Sequence, residues 1–340
     1  MPFVGIEMNH QVAASAWVVG ILSVMTVIGV TPAGAQNEAL RTAWGDPNLQ
    51  GIWDFSTITP LERSEDLVNQ AFLTEEEAAD LEQEAVDRDI RLQNAPRRRT
   101  EAGGNVSAYN NFWMDRGRTT VATRRTSQIV DPPNGRLPEL TKSAQERLDA
   151  RRTLVEENPA ASWLELSVSD RCLMGFNAGP PISPGFYNQN LQIFQTSDHL
   201  ALLTEMVHTV RVVPLDERAP LDANIRQWSG ESRGQWEGDT LVVTTSNFNG
   251  RSAWDRCPVF RSLSPTNSLT LVERITRVDA ETLEYAYTVT DPRTWTRSWS
   301  ASLTFRRTDS PIYEYACHEG NHAIANILAG ARAAEKAERE

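Results

Sequence analysis

The chain has 340 residues, with 45 acidic and 33 basic side chains and a formal charge of −12. Hydrophobic residues make up 40% and charged residues 23%, which excludes a disordered chain and a polytopic membrane protein. The acidic balance excludes nucleic acid as the main partner, because binding a phosphate backbone requires a basic surface.

In chain order, the first element is the apolar run Ala13 to Val30, followed by Thr31-Pro32 and then Ala33-Gly34-Ala35, an A-x-A pattern. It predicts a secretory signal over residues 1–35, and hence a periplasmic or secreted protein with no stable membrane insertion after cleavage. A single membrane anchor is the alternative reading, since a run of 18 residues nearly spans a bilayer.

Residues 36–160 read as an N-terminal strand with peripheral helices and loops. Asp46-Pro47-Asn48 turns into a short strand at Gly51-Ile52-Trp53. Thr74 and Glu77 form a capping box behind Leu73, which predicts a solvated, acidic helix to about Gln93. Arg97-Arg98-Arg99 reads as an exposed loop. A second helix is expected from Thr141 to Glu157, stopped by Asn158-Pro159. Its Arg147, Arg151 and Arg152, mixed with Glu146, Asp149 and Glu156, read as a solvated face.

Residues 161–320 read as β structure. Leu191–Gln195, Leu200–Val213, Thr240–Phe248, Leu269–Val278, Thr282–Thr290 and Arg297–Arg307 are the strand candidates. Glu237-Gly238-Asp239, Asp279-Ala280-Glu281 and Asp291-Pro292 mark turns between them. The expected fold is mainly β, an antiparallel lipocalin-like barrel or curled sheet with peripheral α-helices. Residues 321–340 add a C-terminal helix. Three cysteines allow one pair and one free thiol, and Cys172–Cys317 is the expected pair.

Alternation assigns an inward face to the late strands. It carries Leu269, Leu271, Glu273, Ile275 and Arg277, then Leu283, Tyr285, Tyr287, Val289 and Asp291, then Arg297, Trp299, Ala301, Leu303 and Phe305. A carboxylate there is costly unless paired. Glu273 is therefore either an ion-pair partner of Arg297 or another arginine, or a general base. On an unbroken Leu200–Val213 strand, His208 would share a face with Leu202, Met206, Val210 and Val212. It reads equally as a satisfied core histidine or a desolvated base. The Gly/Pro-rich run Cys172 to Pro181, continuing to Asn190, reads as a stiff plug at the barrel mouth. His318-Glu319-Gly320-Asn321-His322 matches H-E-x-x-H, although Gly320-Asn321 is poor helix interior.

Five runs carry a resemblance. They are Asp46 to Trp53; Arg124 to Ser127 with Asp131 to Arg136; Arg171 to Leu173 with Gly175 to Pro181; Trp236 to Val243; and Tyr313 to Asn321. Together they resemble a family of exported, mostly uncharacterised bacterial proteins. The resemblance implies export and carries over no activity. The strand pattern resembles calycin-like barrels, which include apolar-ligand binders as well as isomerases, hydratases and cyclases.

The expectation is an exported β protein acting on a small, largely apolar molecule by cofactor-free acid/base chemistry of lyase, isomerase, cyclase or hydratase type. His208 would be base or acid, with Glu273 or Asp291 as the second group. Tyr187, Asn190 and Arg226 would orient the substrate, and Trp228, Trp295 and Trp299 would line its site. His318 and Glu319 would stand at the mouth. The alternatives are a non-catalytic carrier of an apolar ligand, or a zinc hydrolase using His318 and His322.

Overall fold

A computed structural model describes residues 40–95, 113–157, 160–251, 259 and 263–340. The expected signal segment, the Arg97-Arg98-Arg99 loop, Asn158-Pro159 and Cys257 lie outside the described residues.

The strands are β1 (Gly51–Asp54), β2 (Ile129–Asp131), β3 (Asn190–Gln195), β4 (His199–Thr204) and β5 (Val210–Pro214), then β6 (Glu231–Glu237), β7 (Thr240–Ser246), β8 (Thr270–Arg277), β9 (Thr282–Thr290) and β10 (Trp299–Thr308). They form one antiparallel sheet in the order β5-β4-β3-β1-β10-β9-β8-β7-β6, with β2 pairing β10 off this path. Short turns set the hairpins. Thr196 and His199 close β3 onto β4 by a backbone bond of 2.9 Å. Gly238, at φ 62°, allows the tight turn between β6 and β7, where a Cβ would be strained. β1 lies between β3 and β10, so the chain's N-terminal part stands within the sheet.

Of the two expected forms, barrel or curled sheet, the barrel is not closed: among the described residues no ladder joins β5 to β6. These two strands nevertheless approach each other. A Cβ on Gly234 of β6 would lie 3.0 Å from Val213 of β5 and 2.6 Å from Leu215 just after it. The sheet therefore curls until its edge strands touch through side chains.

Alternation works on β8, β9 and β10. Leu271, Glu273, Ile275, Leu283, Tyr285, Tyr287, Val289, Trp299, Ala301, Leu303 and Phe305 are all buried. Arg277, half-buried at the end of β8 and donating to the carbonyls of Asn48, Asp279 and Ala280, is one exception, and Arg297 is another. It is exposed before β10 begins and pairs with Asp131 at 2.7 Å. The plug segment is partly buried: its Met174 and Ile182, with Val168 just before it, join the main core with Trp53, Phe55 and Trp299. Cys172 and Cys317 form the expected disulfide, tying the plug to the chain after β10.

The expected single strand Leu200–Val213 is two strands. Val207 and His208 both adopt positive φ, 59° and 52°, and a short 3-10 turn breaks the ladder. The alternation restarts, so Val210 and Val212 face solvent and Val213 the core. β6 was not expected, because its sequence Glu-Ser-Arg-Gly-Gln-Trp-Glu has no apolar alternation.

Three helices flank the sheet among the described residues. In α1 (Glu75–Gln93) the capping box is present, Thr74 Oγ1 accepting from Glu77 N at 3.2 Å and Glu77 accepting from Thr74 N at 2.7 Å. α2 (Lys142–Glu157) buries Ala144 and Leu148 against Leu263. α3 (Ala323–Ala337) begins after His322. No helix of the described residues is long and apolar enough to cross a membrane.

Candidate functional site

Glu273, from the middle of β8, is fully buried. β9 sets Tyr285 beside it, and β5, from the other end of the sheet order, sends Arg211 across the interior. Arg211 makes a two-pronged ion pair with Glu273, one prong at 2.8 Å from Nη2 to Oε1 and the other from Nη1 to Oε2. Tyr285 Oη donates to Glu273 Oε1 at 2.6 Å and accepts from Ile182 N at 3.0 Å. This links both arms of the sheet to the plug. Burial, followed by the neighbouring Glu273 charge, pushes the Tyr285 phenol well above its ordinary pKa. It therefore stays protonated and donating. Burial pulls Arg211 down, but the charge of Glu273 and its hydrogen bonds outweigh this and raise its pKa.

Glu273 thus finds an arginine partner, Arg211 and not Arg297. Arg211 was missed because an unbroken strand points it away from His208. The residues that break the strand, Val207 and His208, are neither Gly nor Asn, so no familiar left-handed signal marks them.

The other expected site residues do not converge on Glu273. His208 is exposed on the 3-10 turn, and the face expected to bury it does not exist. Asp291 is buried but belongs to a loop junction. It accepts from Thr266 Oγ1 at 2.6 Å, Ser268 Oγ at 2.9 Å and Thr294 Oγ1 at 2.8 Å, and from the backbone N–H groups of Thr266 and Arg293. Asn190 Nδ2 donates to buried Glu205 at 2.8 Å. Tyr187 packs between Phe176 and Tyr315, near the disulfide. Trp228 is half-buried under the Arg171 guanidinium. Trp295 and Trp299 meet edge to face in the core, their centroids 6.1 Å apart. Arg226 is exposed in the loop between β5 and β6.

His318 and Glu319 are exposed in a turn that reverses at Gly320, φ 64°. α3 starts only at Ala323, so no helix carries His318 and His322 on one face as a zinc-protease motif requires. Among the described residues, no group of three or more His, Cys, Asp or Glu is placed to hold a metal.

Cavities lie outside the sheet interior. One, of about 370 Å³, is walled by Leu67, Leu73 and Pro60 and by Leu81, Ala85 and Arg88 of α1. A second, of about 430 Å³, adjoins it through Ile58, Thr59, Pro60 and Arg88, and reaches Leu61, Val259 and the plug residues Ser183 to Phe186. Arg125, in the wall of the first, and Ser183, in the wall of the second, each carry a fully buried polar atom, Nε and Oγ, with no hydrogen-bond partner among the described residues. A third cavity, of about 340 Å³, lies between α2 and the loops at one end of the sheet.

No family model, no curated protein and no solved structure matches the chain.

Proposed function

We propose that this is an exported carrier of a small, largely apolar molecule, held in the adjoining cavities between α1, the segment after β1 and the plug. The observation that carries this reading is the pair of cavities sharing Ile58, Thr59, Pro60 and Arg88, in which Leu67, Leu73, Leu81, Leu61 and Val259 form apolar wall beside a polar rim that includes Arg91, Arg116 and Arg125. Their size falls in the range of small-molecule sites. The Cys172–Cys317 disulfide supports an oxidising compartment, and the curled sheet supports a barrel-like scaffold. Two features favour carriage over acid/base catalysis. Glu273 is fully engaged by Arg211 and Tyr285, and His208 stands apart from it, on the surface.

The test is binding of the neutral fluorophore N-phenyl-1-naphthylamine, followed by fluorescence, in the wild type and in Ile58→Trp, which fills the shared wall. Saturable binding by the wild type, lost by about tenfold or more in Ile58→Trp with unchanged circular dichroism, is expected. Equal binding by both proteins, or none by the wild type, overturns the reading.

A further inference from the structure

The third cavity is walled by Arg147, Arg151, Arg226 and Arg293, together with Asn249, Ser264, Thr266 and Asn267, and, among the described residues, by no carboxylate. Such a lining is unexpected in a chain whose acidic side chains outnumber its basic ones, 45 to 33. Elsewhere arginines are commonly neutralised: Arg41 by Asp239, Arg274 by Glu237, Arg297 by Asp131.

Separate elements bring these groups together. Arg147 and Arg151 stand one turn apart on α2 and so share a face. Arg226 comes from the β5–β6 loop, Asn249 follows β7, Ser264 to Asn267 precede β8, and Arg293 follows β9. In an antiparallel sheet, alternate connections emerge at one end, which is why these loops meet.

The arginines are aimed by neutral acceptors. Arg147 donates to Ser143 Oγ at 3.2 Å, to Arg293 O at 3.2 Å and to Thr294 Oγ1 at 3.3 Å. Arg226 Nε donates to Ala223 O at 3.1 Å, and Arg293 Nη1 to Asn267 Oδ1 at 3.0 Å. Orientation by these neutral acceptors leaves Arg147, Arg226 and Arg293 further N–H groups to offer a ligand. Asp291, the buried carboxylate of the connection after β9, accepts from five donors, so it braces these loops. The net negative charge of the molecule does not cancel this local field, because screening confines each charge to roughly 8 Å at physiological ionic strength.

We propose that this cavity binds a small multivalent oxyanion, a phosphorylated or polycarboxylate molecule, with Arg147, Arg226 and Arg293 as its principal ligands. Planar guanidinium forks fit the paired oxygens of either group, and Asn249 and Ser264 supply neutral hydrogen bonds around them. The site is separate from the apolar cavities and its occupancy does not depend on them.

Isothermal titration calorimetry with inorganic pyrophosphate, and separately with citrate, tests this on the whole protein. Saturable one-to-one binding of at least one is expected, weakening steeply with added NaCl. Tighter pyrophosphate assigns a phosphorylated ligand, and tighter citrate a polycarboxylate. The Arg226→Gln/Arg293→Gln variant changes two exposed side chains, so it keeps the fold and should lose affinity by about tenfold or more. Absence of saturable heat from both probes at millimolar concentration, or unchanged affinity in the variant, overturns the proposal.

Discussion

The interior around Glu273 and the cavity at the end of α2 both gather charged groups from distant parts of the chain, and they treat charge in opposite ways. In the interior, Arg211, Glu273 and Tyr285 each find a partner, and every oxygen of the carboxylate is engaged. At the edge, among the described residues, Arg147, Arg226 and Arg293 are held by carbonyl, hydroxyl and amide oxygens. The difference follows from solvation. A buried charge without a counter-charge costs several kcal/mol, so only paired charge survives inside. A partly wetted cluster tolerates repulsion, and its missing counter-charge is then information about a ligand. A buried carboxylate attracts a catalytic reading from sequence, yet here the burial of Glu273 marks a structural joint.

The largest expected effect would break that joint. Arg211→Ala leaves Glu273 buried and uncompensated, and should cost about 3–5 kcal/mol in urea unfolding. Replacing the pair together, Arg211→Met with Glu273→Leu, should restore most of this. Full loss in the double variant would mean that the ion pair is stabilising in its own right. Next comes the disulfide, which holds the same plug that Tyr285 grips through Ile182. Cys172→Ser/Cys317→Ser should lose about 2–4 kcal/mol, read by the same unfolding midpoint. Tyr285→Phe removes a donor to Glu273 and the acceptor of Ile182 N, for about 1–3 kcal/mol. This prediction has a pH signature. The folded phenol titrates above the unfolded one, so its contribution is intact below pH about 10 and is lost as pH rises further, where only the unfolded state sheds the proton. Alkaline unfolding should therefore be shallower in Tyr285→Phe than in the wild type.

The interior was legible wherever one strand runs unbroken. Alternation alone put Glu273 and Tyr285 on the buried face, because a period of two leaves no freedom once a few positions are apolar. It failed at Val207-His208, where two side chains accept left-handed backbone without sequence warning, and this hid Arg211 while promoting His208. The arginine cavity was illegible for a different reason. Arg147 and Arg151 look like any solvated helix face, and Arg226 and Arg293 like loop residues. Only the convergence of loops from three connections shows that they share a wall, and no local pattern records that. Arg226 was singled out from sequence as a ligand-orienting group, but beside residues from which the fold separates it.

The smallest expected change in stability sharpens the comparison most. Arg226→Gln/Arg293→Gln removes two charges, as large a chemical change as breaking the interior pair, from side chains that are exposed and make only neutral contacts. Unfolding free energy should stay within about 0.5 kcal/mol of wild type without ligand, drifting upward at low salt as repulsion is relieved. Adding the oxyanion then separates the two proteins. A ligand that binds only the folded state stabilises it by about 2.7 kcal/mol at one hundred times its dissociation constant. That increment should appear in the wild type and in Tyr285→Phe, and be absent or much reduced in the arginine variant at the same concentration. A variant as destabilised as Arg211→Ala would instead make the edge cluster a structural element, and the contrast between the two regions would fail.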